Sequence, residues 1–228
     1  MTSTYPSYEA FDALLSKRHS CRSFHPDPVP RDRIEMILRL AQKTASWNNV
    51  QPWKVHITTG KGTERFRKVM LAAAAIKMNT SDFPWPQDYV GIYQERRRSC
   101  GLGLYAAVGI AKGDREASAR QALENFRLFG APHVAVITSD ALLDVYGAID
   151  CGAYVANFMA AAETVGVATI AQGSLASRSA VIRDHFQLPA DRKVVCGIAF
   201  GFEDVKHPAN AFRTDRADLS EVVVWEGD

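Results

Sequence analysis

The sequence of 228 residues predicts an α+β fold that forms one domain over residues 1–228. Several segments carry apolar residues at helical spacing, and separate short runs are rich in valine and isoleucine, which is typical of strands. No internal repeat and no linker divides the chain, and its length is sufficient for a sizeable core. We therefore expect helices packed around a central sheet.

The predicted helices are segments in which apolar residues recur every three or four positions. In the second helix, Ile34, Ile37 and Ala41 form one apolar stripe. Prolines at positions 26, 28 and 30 force an extended connector before it, because proline lacks an N–H and restrains the preceding residue. In chain order, the predicted helices cover residues 8–17, 31–44, about 66–73, 94–110, 116–129, 148–165 and 177–186.

The predicted strands are short segments with alternating or β-branched residues. The segment 133–138 is the richest in valine and isoleucine, which indicates a buried strand. In chain order, the predicted strands cover residues 53–59, 133–138, 167–170 and 193–200, followed by a late strand at 222–225.

An aromatic and proline-rich segment, residues 79–93, fits neither pattern. Two interpretations stay open for it. It is either a loop that packs into the core, as aromatic residues commonly do, or a mobile lid that lines a substrate channel. The channel residues would be Trp85, Tyr89 and Tyr93.

Composition and motif spacing exclude several classes of function. A formal net charge of +2 gives no case for nucleic-acid binding. The N-terminus lacks the apolar core of a signal peptide, and no run of apolar residues is long enough for a membrane span. Four widely separated cysteines indicate reduced thiols in a cytoplasmic protein and no metal site: Cys21, Cys100, Cys151 and Cys196.

Two further features receive structural interpretations. Residues 101–106 read Gly-Leu-Gly-Leu-Tyr-Ala, which matches a dinucleotide-binding fingerprint, but a charged helical stretch precedes them where that motif needs a strand. His56, His133 and His185 are expected to lie in or near the core with their rings hydrogen-bonded.

Three polar segments carry the strongest functional signal. Residues 17–24, Lys-Arg-His-Ser-Cys-Arg-Ser-Phe, combine the donors that hold a phosphate, although a basic cluster at a helix end is also typical of a solvated cap. The second segment is residues 44–53, Thr-Ala-Ser-Trp-Asn-Asn-Val-Gln-Pro-Trp, and the third is residues 210–216, Asn-Ala-Phe-Arg-Thr-Asp-Arg.

Together the three segments resemble the FMN-dependent nitroreductase family, whose patterns R-[RH]-S-x-R-x-F, S-x-x-N-x-Q-P-W and N-x-x-R-T-x-R they match in order. The first pattern is met by Arg18, His19, Ser20, Arg22 and Phe24. The second is met by Ser46, Asn49, Gln51, Pro52 and Trp53. The third is met by Asn210, Arg213, Thr214 and Arg216.

The resemblance implies a mixed, mainly antiparallel sheet surrounded by helices, in an intertwined homodimer with shared FMN sites. It also implies an oxidoreductase that takes hydride from NADPH or NADH onto FMN and then reduces a nitroaromatic or quinone-type acceptor in a ping-pong mechanism. Because a flavin carries its own redox centre, no acid, base or nucleophile constellation is expected. Three alternatives stay open: a reductive dehalogenase, a flavin-consuming enzyme, and a non-catalytic flavin-binding protein.

The resemblance also implies a role for each site residue. Arg18, Ser20, Arg213 and Arg216 surround the FMN phosphate and ribityl chain with His19 beside them. Arg22 reaches the pyrimidine edge, the Gly173 backbone N–H faces N5, and the loop from Ser46 to Gln51 serves the flavin of the neighbouring subunit. The implied cofactor-binding residues are Arg18, His19, Ser20, Arg22, Ala45, Ser46, Trp47, Asn49, Gln51, Ala171, Gln172, Gly173, Arg213 and Arg216.

Three positions depart from the commoner family pattern. Ala45 and Ala171 stand where proline is frequent, and Trp47 stands where a small hydroxyl residue is frequent. The indole of Trp47 is expected to narrow the space over the flavin ring and so to affect which substrates fit.

Overall fold

The computed structural model describes residues 5–76 and 78–227, and we number its helices and strands in chain order. The helices are α1 (Pro6–Lys17), α2 (Arg31–Ala41), α3 (Lys61–Ala74), α4 (Gly91–Ala107), α5 (Arg115–Leu123), α6 (Asp144–Thr164), α7 (Gly173–Ala176) and α8 (Ser179–Phe186). The strands are β1 (Lys54–Thr58), β2 (His133–Asp140), β3 (Ala168–Gln172) and β4 (Arg192–Gly201).

The four strands form one sheet in the order β1-β2-β4-β3, and each neighbouring pair is antiparallel. Beyond these strands, an isolated parallel bridge joins Ser20 to Thr169 of β3. The predicted central sheet is confirmed, and the bridge brings the N-terminal basic segment to its β3 edge.

Both faces of the sheet are covered, because successive side chains of a strand point to opposite faces. In β2, Val134 and Val136 face a core cluster that α3, α7 and α8 complete. Ala135 and Ile137 face a second cluster that α2 and α6 complete. All four side chains are fully buried, as expected for the central strand.

His133 is structural, as the sequence predicted. Its Nε2 accepts a hydrogen bond from the Val29 N–H (2.9 Å), and its Nδ1 lies 3.1 Å from the Thr58 carbonyl oxygen. The ring is therefore held in the neutral tautomer that carries its proton on Nδ1. Burial lowers the pKa of His133 below its ordinary value.

Two predicted elements are wrong. The helix expected to reach residue 129 ends at Leu123. It could not include Leu128 and Phe129, because these two buried residues have positive φ angles of 58° and 52°, which a right-handed helix does not accommodate. The late strand at 222–225 is absent, and a short 3-10 turn (Leu219–Glu221) leads instead into an irregular tail. The other predicted elements are present, with shifted ends, and α2 stops at Ala41 rather than at residue 44.

Within residues 5–76 and 78–227, every helix is too short or too polar to cross a bilayer.

Candidate functional site

Backbone pairing fixes the basic segment 17–24 against the sheet. α1 ends at Lys17, and the Cys21 N–H donates to the Thr169 carbonyl of β3 (3.0 Å). Three residues later, the Phe24 N–H donates to the Phe129 carbonyl (3.3 Å). These two bonds hold the backbone on either side of Arg22 against neighbouring elements.

The buried Asn210 side chain joins this segment to the C-terminal motif. Its Oδ1 accepts from the Arg22 N–H (2.6 Å), and its Nδ2 donates to the carbonyls of Ser23 (2.8 Å) and Asp204 (3.0 Å). One amide thus bridges two motifs that lie 188 positions apart in the sequence.

Two adjoining cavities open where the motifs meet. The first, of about 590 Å³, is lined by Leu15, Ser16, Arg18, His19, Ser20, Arg22, Phe212, Arg213, Thr214 and Arg216. The second, of about 310 Å³, shares Ser20 and Arg22 with the first and extends to the end of β3 at Ala171, Gln172 and Gly173. Both volumes lie in the range of small-ligand sites.

Four guanidinium groups line the first cavity, and none of them forms an ion pair within the part of the chain that the structure describes. Arg22, Arg213 and Arg216 instead donate to backbone carbonyls, for example from Arg213 Nη1 to Asn210 O (2.5 Å). Unpaired guanidinium groups that converge on a cavity favour an anionic ligand with several acceptor oxygens.

Arg22 is half-buried, whereas Arg213 and Arg216 are exposed. Its Nη1 donates to the Ser20 carbonyl (3.1 Å), and its guanidinium carbon lies 5.8 Å from the centre of the Phe212 ring. Burial lowers the pKa of Arg22, because loss of water disfavours the charged form. Burial also raises the pKa of the neighbouring Cys21 thiol to about 12, so that this cysteine stays protonated at neutral pH.

His19 is paired with an acidic residue that the sequence did not indicate. Its Nε2 lies 2.9 Å from Glu203 Oε1, and its Nδ1 lies 3.2 Å from the Lys17 carbonyl oxygen. These contacts hold the ring on the wall of the first cavity.

The end of β3 supplies backbone to the second cavity. Gln172 is buried, and its Nε2 donates to the Asn125 carbonyl (2.7 Å), while Ser174 Oγ donates to Asn125 Oδ1 (3.0 Å). Gly173 lines the cavity as the first residue of α7, a position whose backbone N–H has no acceptor within its own helix. Asn125 therefore fixes the two residues that flank Gly173.

Known proteins resemble this chain along most of its length. The profile of the Nitroreductase family matches residues 15–202. The chain belongs to the nitroreductase family. It is 33% identical to the nitroreductase NfnB of Mycolicibacterium smegmatis, over 93% of this chain and 91% of that protein. It is 32% identical to a 4-nitrobenzoate reductase of Nocardioides sp., over 98% of this chain and 93% of that protein.

Solved structures of the family share the fold. The crystal structure of the FMN-dependent nitroreductase NfnB from Mycobacterium smegmatis in complex with NADPH matches with a TM-score of 0.92 and 32% identity. The match covers 97% of this chain and 100% of that one. The α+β fold expected from the family resemblance is therefore confirmed.

The second family motif, residues 46–53, is not among the described residues that line either cavity of its own chain. The Trp47 N–H donates to the Asp150 carboxylate of α6 (3.2 Å), and its ring packs 4.8 Å from that of Tyr146. The Gln51 N–H donates to Ser46 Oγ (2.9 Å), which closes a tight loop. The structure thus brings two of the three motifs together and places the third elsewhere.

The aromatic segment 79–93 is anchored at one end and exposed at the other. The Asp82 carboxylate accepts two hydrogen bonds from Arg183 Nη2 (2.9 Å each) and one from the Val194 N–H (2.7 Å). Beyond this anchor the aromatic side chains are not part of the core, since Trp85, Tyr89 and Tyr93 are 41%, 39% and 66% exposed. They line neither of the two cavities.

Sequence reasoning missed three residues that shape the site. Asn125 and Glu203 lie outside the family motifs, and their contacts join positions that are far apart in the sequence. Phe212 lies between Asn210 and Arg213 of the C-terminal motif, and this position was the available sequence signal that it lines the first cavity.

Proposed function

We propose that the two adjoining cavities bind FMN and that the protein is an NAD(P)H-dependent oxidoreductase that reduces nitroaromatic or quinone-type acceptors. The observation that carries the proposal is the convergence of four unpaired arginines on one cavity beside the end of β3. The relatives support it, because one is named as an FMN-dependent nitroreductase in complex with NADPH and another as a 4-nitrobenzoate reductase.

The residues present fit FMN. A phosphate monoester carries a charge of about −1.5 to −2 and several acceptor oxygens, which match the free N–H groups of Arg18, Arg213 and Arg216 and the hydroxyl of Ser20. The phosphate and the ribityl chain then occupy the first cavity, with His19 on its wall. Arg22, which lines both cavities, is assigned to the pyrimidine edge of the ring.

When bound, FMN supplies the two-electron chemistry, accepting hydride from NAD(P)H and delivering it to the acceptor. The protein's part is to bind, orient and tune the ring. Arg22 contributes a partly desolvated positive charge where the ring gains negative charge, and the Gly173 N–H is assigned to N5. If donor and acceptor use the same site in turn, the oxidised nicotinamide would leave before the acceptor binds, as a ping-pong mechanism requires.

The working form is proposed to be a homodimer with shared FMN sites. The loop of residues 46–51 does not line the two cavities of its own chain, so that it can serve those of a second copy. Large apolar side chains are also exposed on α1 (Tyr8 and Phe11), on α6 (Tyr146 and Ile149) and in the C-terminal tail (Val222, Val224 and Trp225). Exposed apolar surface of this extent is typical of a protein–protein interface.

Two further assignments complete the proposal. The exposed part of segment 79–93 acts as a lid over the acceptor site. Two features support this assignment: Asp82 anchors one end of the segment, and at the start of α4 Gly91 has a positive φ (54°), a conformation that glycine adopts readily.

Four free cysteines support a cytoplasmic location.

An oxidant screen under argon tests the function. The FMN-loaded protein is first reduced with NADPH or NADH, and a nitroaromatic, a quinone and a halophenol are then added separately. Reoxidation by the nitroaromatic or the quinone is the expected result. Reoxidation by the halophenol alone, with release of halide, would indicate a dehalogenase, and no reduction by either nucleotide would indicate a flavin-binding protein without turnover.

A further inference from the structure

The Phe212 ring is close to both helix α4 and the Arg22 guanidinium. The guanidinium carbon of Arg22 is 5.8 Å from the ring centre, within the range of a cation–π contact. A Cβ added at Gly103 of α4 would lie only 2.5 Å from Phe212 Cε2 and 3.1 Å from Cζ. The ring therefore occupies the space that any larger residue at position 103 would need.

Glycine at position 103 requires an explanation, because a glycine inside a helix makes that helix less stable than an alanine would. The nearby Gly101 has no comparable neighbour, since a Cβ there would meet nothing within 4 Å. Of these two glycines of α4, Gly103 is thus the one that the position of Phe212 requires. The packing thus gives a physical reason for Gly103, but not for Gly101, in a segment that is not a dinucleotide fingerprint in this chain.

Arg22 has few other groups to orient it. Its Nη1 donates to the Ser20 carbonyl (3.1 Å), and no carboxylate pairs with it among the residues that the structure describes. A guanidinium carries five N–H donors in one plane, so a hydrogen bond to a single carbonyl leaves that plane free to rotate. The flat face of Phe212 supplies the second restraint.

We propose that Phe212, seated against Gly103, is a positioning residue that holds the Arg22 guanidinium toward the pyrimidine edge of FMN. The inference rests on the proposed FMN site and adds to it the element that tunes the flavin. By holding the cation in place, Phe212 stabilises reduced FMN more than oxidised FMN and so raises the midpoint potential.

Two measurements on purified protein test the proposal: the Kd for oxidised FMN, from the fluorescence of flavin added to flavin-free protein, and the midpoint potential of the loaded protein. Together with the potential of free FMN, they give the Kd for reduced FMN. In Phe212→Leu and Gly103→Ala, the ratio of the Kd values for reduced and oxidised FMN should rise about two- to thirty-fold, the range of a cation–π contact. At about 30 mV per tenfold change, the potential should fall by about 10–45 mV. Phe212→Tyr, which keeps the ring, and Gly101→Ala, the matched control, should retain the wild-type potential.

A double variant separates positioning from direct contact. If Phe212 acts through Arg22, then adding Phe212→Leu to Arg22→Gln should produce no further change in potential. An undiminished further change would show that the ring acts on FMN directly and would overturn the proposal. So would a Gly103→Ala protein that melts and titrates like Gly101→Ala.

Failure of the proposed function gives a different result. Wild-type protein that binds no FMN would overturn both the function and this inference. Wild-type protein that binds FMN, together with a folded Phe212→Leu protein of unchanged potential, would overturn the inference alone. Gly103→Ala provides the same test if Phe212→Leu does not fold.

Discussion

Replacing Arg22 by glutamine removes the positive charge at the proposed pyrimidine edge while keeping a hydrogen-bond donor there. The guanidinium is half-buried, and no carboxylate neutralises it among the described residues. Its charge is therefore available to the flavin. Because negative charge at that edge increases when FMN is reduced, the contact should be stronger with reduced than with oxidised FMN.

The size of the effect follows from the strength of one charged hydrogen bond, about 1.5–3 kcal/mol. If the whole contact is made only with reduced FMN, a two-electron potential falls by roughly 30–65 mV when it is lost. Solvent reaches part of Arg22 and screens part of its charge, so this is an upper range.

A redox titration against a dye of known potential measures the shift directly. Arg31→Gln is the matched control, since it removes the same charge from an exposed position of α2, where Arg31 pairs with Glu35 (2.9 Å). The control should keep the wild-type potential, because solvent and salt screen a distant surface charge. An unchanged or raised potential in Arg22→Gln, with FMN still bound, would refute the placement of Arg22 beside the ring.

Four other predictions concern binding, assembly, the lid and stability. Arg213→Ala should weaken FMN binding by roughly 10- to 150-fold, since a charge-assisted contact of about 1.5–3 kcal/mol is lost, and full occupancy after desalting would contradict this. If FMN sites are shared, FMN should shift the dimer equilibrium toward dimer in light scattering over a dilution series, and a monomer that retains FMN at nanomolar concentration would disprove sharing. Trp85→Ala or Tyr89→Ala should change the KM for the acceptor while the melting temperature stays near the wild-type value, because neither side chain belongs to the core; a large fall in melting temperature with unchanged kinetics would argue against the lid. Burial lowers the pKa of His133 in the folded state, so its contribution to stability is full above the unfolded pKa of about 6.5 and is lost as the pH falls below it. The urea midpoint should therefore decrease from pH 7.5 to pH 5.5, and a constant midpoint would speak against a neutral, buried His133.

The sequence predicted the elements whose signal is local. The apolar stripe of α2 and the β-branched run of β2 need no distant contacts to be recognised. The early end of α5, which was expected to reach residue 129, could not be found in this way. The positive φ angles of Leu128 and Phe129, which exclude both residues from a helix, depend on the core that buries their side chains. The segment 222–225 has strand-forming residues, but such residues form a strand only where a neighbouring strand is available to pair with them.

The sequence predicted those residues of the site that belong to the family motifs. Arg18, Ser20 and Arg213 line one cavity, as the family pattern implied. The partners that hold the site together were not predictable, because they come from elsewhere in the chain. Glu203 contacts His19 across 184 positions, and the packing of Phe212 on Gly103 follows only from the tertiary structure.

The phosphate group of FMN gives the most direct test of the proposed site, because three arginines of the first cavity, Arg18, Arg213 and Arg216, are assigned to it. Flavin-free protein can be titrated with FMN and, in parallel, with riboflavin, which lacks the phosphate. A single charge-assisted contact of about 1.5 kcal/mol corresponds to roughly tenfold, so FMN should bind at least about tenfold more tightly than riboflavin. The difference should narrow as salt is added. Equal affinity for the two flavins would show that the arginine cluster does not bind the phosphate and would contradict the proposed site.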